Sequence, residues 1–255
     1  MQNYLNEVDG NFSRFYAALS TEIENTIKGL AAQEQKFKES YRRLVSLQAW
    51  RGELIEDIAS PGAEAFFKEA QNDALMSHSL ARQGAWRVAL MSLRSCIENI
   101  LYGLYYIDHP VELIQWQNGV FKLGFTDAIS YLVKHPHFEG INEQNSGIDT
   151  IKSEYSTLSK AVHGSAHAFR VTKEGEIQGL NVVSIPDLGA WGTRERLTLI
   201  GLNTILLVMF REHLQGAAKV NLRKAISLTI PEQKHNAVKD MFNVRLRSVP
   251  QPAAA

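Results

Sequence analysis

The chain has 255 residues, of which 45% are hydrophobic and 21% charged, a composition typical of a globular protein that buries its own core. Its 27 basic and 27 acidic residues cancel, which excludes attraction of nucleic acid or an anionic membrane by overall charge and leaves only a local patch for such a role. The single cysteine, Cys96, excludes a disulfide within the chain and favours a cytoplasmic protein. The N-terminal sequence MQNYLNEVDG lacks an apolar core, so we expect no secretory signal.

A helical pattern occupies the N-terminal part of the chain. Apolar residues recur at steps of three and four from Leu5 to Leu30 and again, after a polar interval, from Phe37 to Ile58. This stripe predicts two or more long helices, which form an N-terminal helical arm over residues 1–60. Such a stripe requires a partner, which can be the protein's own core, a second copy of the arm, or another protein.

The segment after residue 60 is predicted to form a helical hairpin. Ser60 and Pro61 suit the N-cap and the first position of a helix over residues 63–82, and Gly84 suits a tight turn. A second helix, over residues 85–106, is apolar around much of its circumference, so we expect it to be buried together with Cys96.

Weaker helical patterns follow over residues 111–117 and 126–135, before a polar loop over residues 139–147. A further helix begins near Asp149 and ends at Gly164. The middle of the chain is therefore predicted to be helical throughout.

The pattern changes after residue 167. Residues 168–172 and 177–183 are predicted to be two strands of a β-hairpin, with Glu174 and Gly175 in its turn.

The C-terminal part returns to helical patterns. We expect a loop over residues 187–191, an apolar helix over residues 193–214, a final helix over residues 231–242 and a disordered tail over residues 248–255. The longest apolar run, residues 197–210, has 14 residues and a membrane span needs about 20, so no membrane association is expected.

Two constellations could carry chemistry. Arg87, Arg94 and Glu98 lie at spacings of seven and four on one stripe of an apolar helix. They can form a structural ion pair, or Arg94 can face the helix of His163 and help to form an anion pocket.

The second constellation is the run from Tyr155 to Gly164, which brings Ser159, Lys160 and His163 to one helix face. An imidazole at a helix end can bind a phosphate, transfer a proton or cap the helix.

Cofactor and metal motifs are missing from the sequence. No glycine-rich phosphate loop follows a predicted strand, and no HExxH pattern accompanies the histidines. His163 and His167 are four residues apart, but Gly164 interrupts the helix between them. We therefore expect neither a metal site nor a cofactor.

Two of these segments resemble the HEPN family (higher eukaryote and prokaryote nucleotide-binding), an all-helical family. One helix carries the similar pattern of Arg94, Ile97-Glu98 and Leu101-Tyr102, and residues 158–164 are similar to the end of the last core helix of the family. The resemblance covers about residues 63–167.

The resemblance implies a mainly α fold, in which a helical bundle of HEPN type over residues 61–168 lies between the arm and a segment, residues 169–247, that holds the β-hairpin and the C-terminal helices. Many HEPN proteins are metal-independent ribonucleases of toxin–antitoxin or antiviral defence systems, and they form homodimers in which two histidine-bearing helices face each other. The resemblance therefore implies a homodimer that binds RNA or a nucleotide.

The same resemblance implies roles for individual residues. The candidate catalytic residues are His163, as acid or base, with Lys160 and Arg94 as cations beside it. The candidate binding residues are Ser159, Arg87, Glu98 and Arg170.

The sequence departs from the family at one point. The active motif has an arginine separated by four to six residues from the histidine, and the corresponding positions here are Ser156, Thr157 and Leu158. The cation would then come from Lys160 or from an arginine elsewhere. The alternative function is a non-catalytic helical scaffold, or a protein-interaction subunit of a defence complex that binds its partner through residues 1–58.

Overall fold

The computed structural model describes residues 2–163, 172–173, 176–177, 180–216 and 218–247. The protein is mainly helical, as the sequence predicts. In chain order the helices are α1 (Gln2–Gly29), α2 (Glu34–Trp50), α3 (Glu56–Ile58), α4 (Pro61–Arg82), α5 (Trp86–Asp108), α6 (Pro110–Gln117), α7 (Phe125–Lys134), α8 (Glu143–Ser146), α9 (Ile148–His163), α10 (Ile185–Phe210), α11 (Val220–Ser227) and α12 (His235–Phe242). Short 3-10 helices occupy Ala31–Gln33, Pro136–Phe138, Arg211–Leu214 and Glu232–Lys234, and a π-helical turn occupies Arg51–Ile55.

Helices α4 and α5 form the predicted hairpin. The hydroxyl of Ser60 accepts a hydrogen bond from the backbone N–H of Ala63 at 3.3 Å and so caps α4. The two helices pack closely because Gly103 has no side chain: a Cβ there would lie 2.6 Å from the ring of Phe67. The thiol of Cys96 is buried in α5, as predicted, and burial raises its pKa.

Helix α10 lies at the centre of the fold. It packs against α2, α5, α8 and α9, and nearly every residue from 198 to 210 is buried. It begins at Ile185, so the prediction of a loop over residues 187–191 is wrong. The hydroxyl of Ser184 accepts from the N–H of Asp187 at 3.2 Å and caps the helix, and the buried Trp191 fixes the first turns by donating from Nε1 to Ser77 at 3.0 Å.

By length and apolar composition, α10 with the 3-10 turn after it is the only candidate membrane span among the described residues. Most of its apolar stretch is buried inside the protein, as in the core helix of a globular fold, so this criterion is weak here.

Helix α1 divides into a free part and an attached part. Residues 2–18 are exposed, whereas Thr26 is buried. The attachment, which we call the α1 joint, comprises Glu22, Thr26, Gly84, Asn181 and Val182. Glu22 accepts from the backbone N–H of Asn181 at 2.7 Å, Thr26 donates to the carbonyl of Asn181 at 3.3 Å, and Val182 donates to the carbonyl of Gly84 at 3.2 Å.

The predicted hairpin is only partly within the described residues. Two-residue strands β1 (Thr172–Lys173) and β2 (Glu176–Ile177) pair antiparallel. Residues 168–171, 174–175 and 178–179 lie outside the described residues, so the full hairpin stays a prediction.

The second predicted strand is wrong over residues 180–183, which form a bend and an irregular segment. Asn181 and Val182 use their backbone groups in the α1 joint and are therefore not available to a strand ladder.

Two further helices differ from the prediction. The short helix α8 lies inside the expected polar loop, where the side chain of Asn142 caps it by accepting from the N–H of Asn145 at 2.9 Å. Helix α11 was not predicted, and its apolar side packs on α2. The predicted tail over residues 248–255 lies outside the described residues.

One hydrophobic core contains side chains from Leu30 to Leu246. Helix α2, from the predicted arm, contributes to this core together with α5, α9 and α10. The three predicted segments, residues 1–60, 61–168 and 169–247, therefore share one core.

Candidate functional site

Helices α5 and α9 lie side by side and bring Arg94 and Glu98 against the helix of His163. The Arg94 guanidinium donates to the hydroxyl of Tyr155 at 2.5 Å and to the hydroxyl of Ser159 at 3.2 Å, and it lies 3.0 Å from the carboxylate of Glu98. These four residues are called the Arg94 cluster below. The predicted ion pair within α5 is present and Arg94 also contacts α9, whereas the anion pocket stays a prediction.

Tyr155 joins the members of the cluster, although it was not among the predicted site residues. Its hydroxyl donates to Glu98 at 2.7 Å, its ring stacks on Phe125 at 3.6 Å, and the Arg94 guanidinium lies 4.7 Å from the ring centroid. Burial, with the hydrogen bond to Glu98, raises the pKa of Tyr155 to about 12. The tyrosine is therefore a neutral donor that keeps the carboxylate and the guanidinium occupied.

Arg87 holds the end of α9. Its guanidinium donates to the carbonyls of Ala161 at 2.9 Å and of Val162 at 3.1 Å. The last carbonyls of a helix have no partner within it and carry a partial negative charge of about half an electron. Arg87 therefore satisfies and neutralises the helix end immediately before His163.

His163 and Lys160 lie on the exposed side of α9. Neither side chain forms a hydrogen bond or ion pair with another residue in the described ranges. Among the residues that the structure describes, they form a small basic surface without a counter-charge. Arg170, the remaining candidate, lies outside the described residues.

A groove of about 450 Å³ is lined in part by Phe125, the ring that stacks on Tyr155 of the cluster. Its lining comes from α7, α8 and α9 and consists of Phe125, Thr126, Ile129, Ser130, Val133, Lys134, Glu143 and Lys152. Lys152 pairs with Glu143 across it. His163 is not among the lining residues.

The paired histidines at positions 135 and 137 serve the fold. His135 lies 3.3 Å from the carboxylate of Asp108, and His137 bonds the carbonyl of Met209 at 2.6 Å. Within the described part of the chain, no three His, Cys, Asp or Glu side chains group as metal ligands.

Asp73 on α4 lies near the Arg94 cluster, and the pKa of its carboxyl group is raised. Burial raises its pKa to about 6, Glu69 and Glu98 add to this rise, and the amide of Asn99, which donates at 2.8 Å, opposes it.

The Asp73→Asn variant is expected to be more stable than the wild type at pH 7.5 by about 1–2 kcal/mol and equally stable below pH 3.8. An acid whose pKa is raised on folding binds its proton more tightly in the native state, so stability falls as pH rises from 3.8 to about 6, and asparagine removes that loss. Thermal melts at both pH values measure the difference, with the exposed Asp240→Asn as control. If Asp73→Asn gained the same stability at both pH values, the raised pKa could not be that of Asp73.

Comparison of the chain with protein-family models, with curated proteins and with solved structures gives no match. The fold and the site define a mainly helical protein with a basic, histidine-bearing helix end, and the HEPN resemblance stays a prediction from sequence.

Proposed function

We propose that the exposed end of α9 binds phosphate groups of RNA or of a nucleotide through His163 and Lys160, in a HEPN-like cytoplasmic protein of a bacterial defence or toxin-type system. The observation that supports this proposal is the position of the two side chains, which are exposed on one helix face with no described carboxylate beside them. A phosphate at a helix C-terminus is normally disfavoured, but Arg87 already neutralises the last carbonyls there.

The same two residues suit metal-independent cleavage of RNA. His163 as a base would take the proton of a 2′-hydroxyl, whose oxygen then attacks phosphorus, while the 5′-oxygen leaves with a proton from an acid. Lys160 would stabilise the charge on the phosphorane. Water at this exposed helix end would serve as the acid. Arg94 is a positioning residue in this scheme, because Glu98 and Tyr155 occupy its guanidinium.

The His163→Ala variant is expected to cleave labelled RNA at least about 100-fold more slowly than the wild type, with EDTA present in both assays. Lys160→Ala should weaken both binding and cleavage. His213→Ala, at an exposed histidine on the 3-10 turn after α10, is the matched control and should cleave like the wild type. Equal cleavage by the wild type and by His163→Ala would exclude this function for His163.

The second candidate function is a non-catalytic scaffold, and it is favoured because both Arg87 and Arg94 are occupied by partners within the protein. Arg94 is neutralised within its cluster and Arg87 is used as a helix cap, so neither presents a free guanidinium to a ligand. A wild type that neither cleaves nor binds RNA or nucleotides would favour the scaffold.

A further inference from the structure

The free part of α1 carries an exposed apolar seam, and the described ring contacts of its aromatic residues lie within α1 itself. Leu5, Val8, Phe12 and Phe15 are 43–60% exposed, and with Leu19 they follow steps of three, four, three and four. Those steps are the a and d positions of a heptad repeat, which is the pattern of a coiled coil. We propose that α1 pairs with α1 of a second copy of this chain in an antiparallel coiled coil centred on residue 10. This inference is independent of any activity of His163.

The first argument is the area of the seam. Tyr4 and Tyr16 flank it and are also more than half exposed, so the surface has four exposed aromatic side chains. With about 200 Å² for a whole aromatic side chain, the exposed apolar surface is on the order of 600 Å² per copy. A pair of arms would then bury on the order of 1,200 Å², the lower limit for a specific protein interface. An apolar patch of this size is rare on a monomer.

The second argument is the alternation of side-chain size along the seam. In an antiparallel coiled coil, each a position packs against a d position of the other helix. A pair centred on residue 10 therefore places Leu5 against Phe15 of the second copy and Val8 against Phe12. Large side chains meet smaller ones on both sides of the axis, as close packing of a core requires.

The third argument is space. Two bodies attached at the α1 joint lie at opposite ends of an antiparallel pair, about 40 Å apart. A parallel pair would place both joints within about 10 Å of each other. The charges also disfavour a membrane as the occupant, because α1 has four acidic residues and two basic ones, whereas helices that bind anionic membranes are basic.

The test is the mass of the full-length protein in solution by light scattering at about 100 µM. The wild type is expected at twice the chain mass of 28.6 kDa, and Phe12→Glu at the chain mass itself. Ala17→Glu makes the same charge change on the opposite side of α1 and should remain dimeric. Because residues 2–18 are exposed, Phe12→Glu should melt at the same temperature as the wild type. An unchanged melting temperature would show that the variant has lost association and not folding.

A further measurement tests the orientation. Spin labels at a cysteine placed at position 2 should lie about 25 Å apart in the antiparallel pair and about 10 Å apart in a parallel one. A monomeric wild type, with or without binding to anionic lipid vesicles, would overturn the proposal, and so would equal masses for Phe12→Glu and Ala17→Glu.

Discussion

Replacement of Glu195 by alanine is expected to lower the free energy of unfolding by about 3–5 kcal/mol. Glu195 lies on α10 and is 1% exposed, and its carboxylate accepts from Nε and Nη2 of Arg43 on α2 at 2.9 and 2.6 Å. Ser40 donates to the other oxygen at 3.2 Å. Burial raises the pKa of Glu195 above its usual value, and Arg43 limits that rise.

The size of this effect comes from the group that is left behind. Removal of the carboxylate leaves the Arg43 guanidinium partly buried and without its partner, which costs more than the ion pair itself contributes. The double variant Arg43→Met with Glu195→Leu should therefore be much less destabilised than the sum of the two single variants. Urea unfolding measures all three. Glu34→Ala, which breaks an exposed pair with Lys38 on the same helix α2, is the control and should cost less than about 1 kcal/mol. Additive effects of the two buried substitutions would contradict the coupling.

The second large effect is expected at Gly84, where alanine should cost about 2–4 kcal/mol. Gly84 has φ of +74°, which L residues rarely adopt. A Cβ there would lie 2.6 Å from the carbonyl oxygen of Val182 and 2.5 Å from the methyl group of Thr26. The backbone contact cannot be relieved by a side-chain rotation, so the α1 joint must open.

The matched control for this variant is Gly10→Ala, in the free part of α1. A Cβ at Gly10 meets nothing within 4 Å, and alanine in a helix interior is more favourable than glycine by about 0.5–1 kcal/mol. Gly84→Ala should therefore lower the melting temperature, whereas Gly10→Ala should not. Hydrogen exchange at residues 19–29 should increase in Gly84→Ala alone. A neutral effect of Gly84→Ala would show that the joint does not hold α1.

Local sequence signals predicted much of this fold. Ser60 and Pro61 located the start of α4, Gly84 located the turn before α5, and the long apolar stripe located α1 and α2. The start of α10 was not predicted, because Gly189 and Gly192 look like loop residues in the sequence. The helix tolerates them, because the tertiary contacts of the buried Leu188 and Trp191 outweigh the cost of glycine.

Only the contacts within a single helix of the site could be predicted from residue spacing. The spacing of Arg94 and Glu98 indicated their pairing and offered contact with α9 as an alternative. The roles of Tyr155 and Arg87 depend on how two helices align side by side, which periodicity does not specify. The exposure of the free part of α1 was equally unpredictable, since its apolar stripe is continuous with the part that packs.

The central position of α10 has a consequence for synthesis of the chain on the ribosome. Its side chains pair with groups on α2 that are more than 150 residues earlier, as Arg43 does with Glu195 and Trp50 with Asn203. Helices α2, α5 and α9 therefore emerge long before the helix that covers their apolar faces, and such distant pairing slows folding. The nascent chain must keep these faces from aggregating until residue 210 has left the exit tunnel.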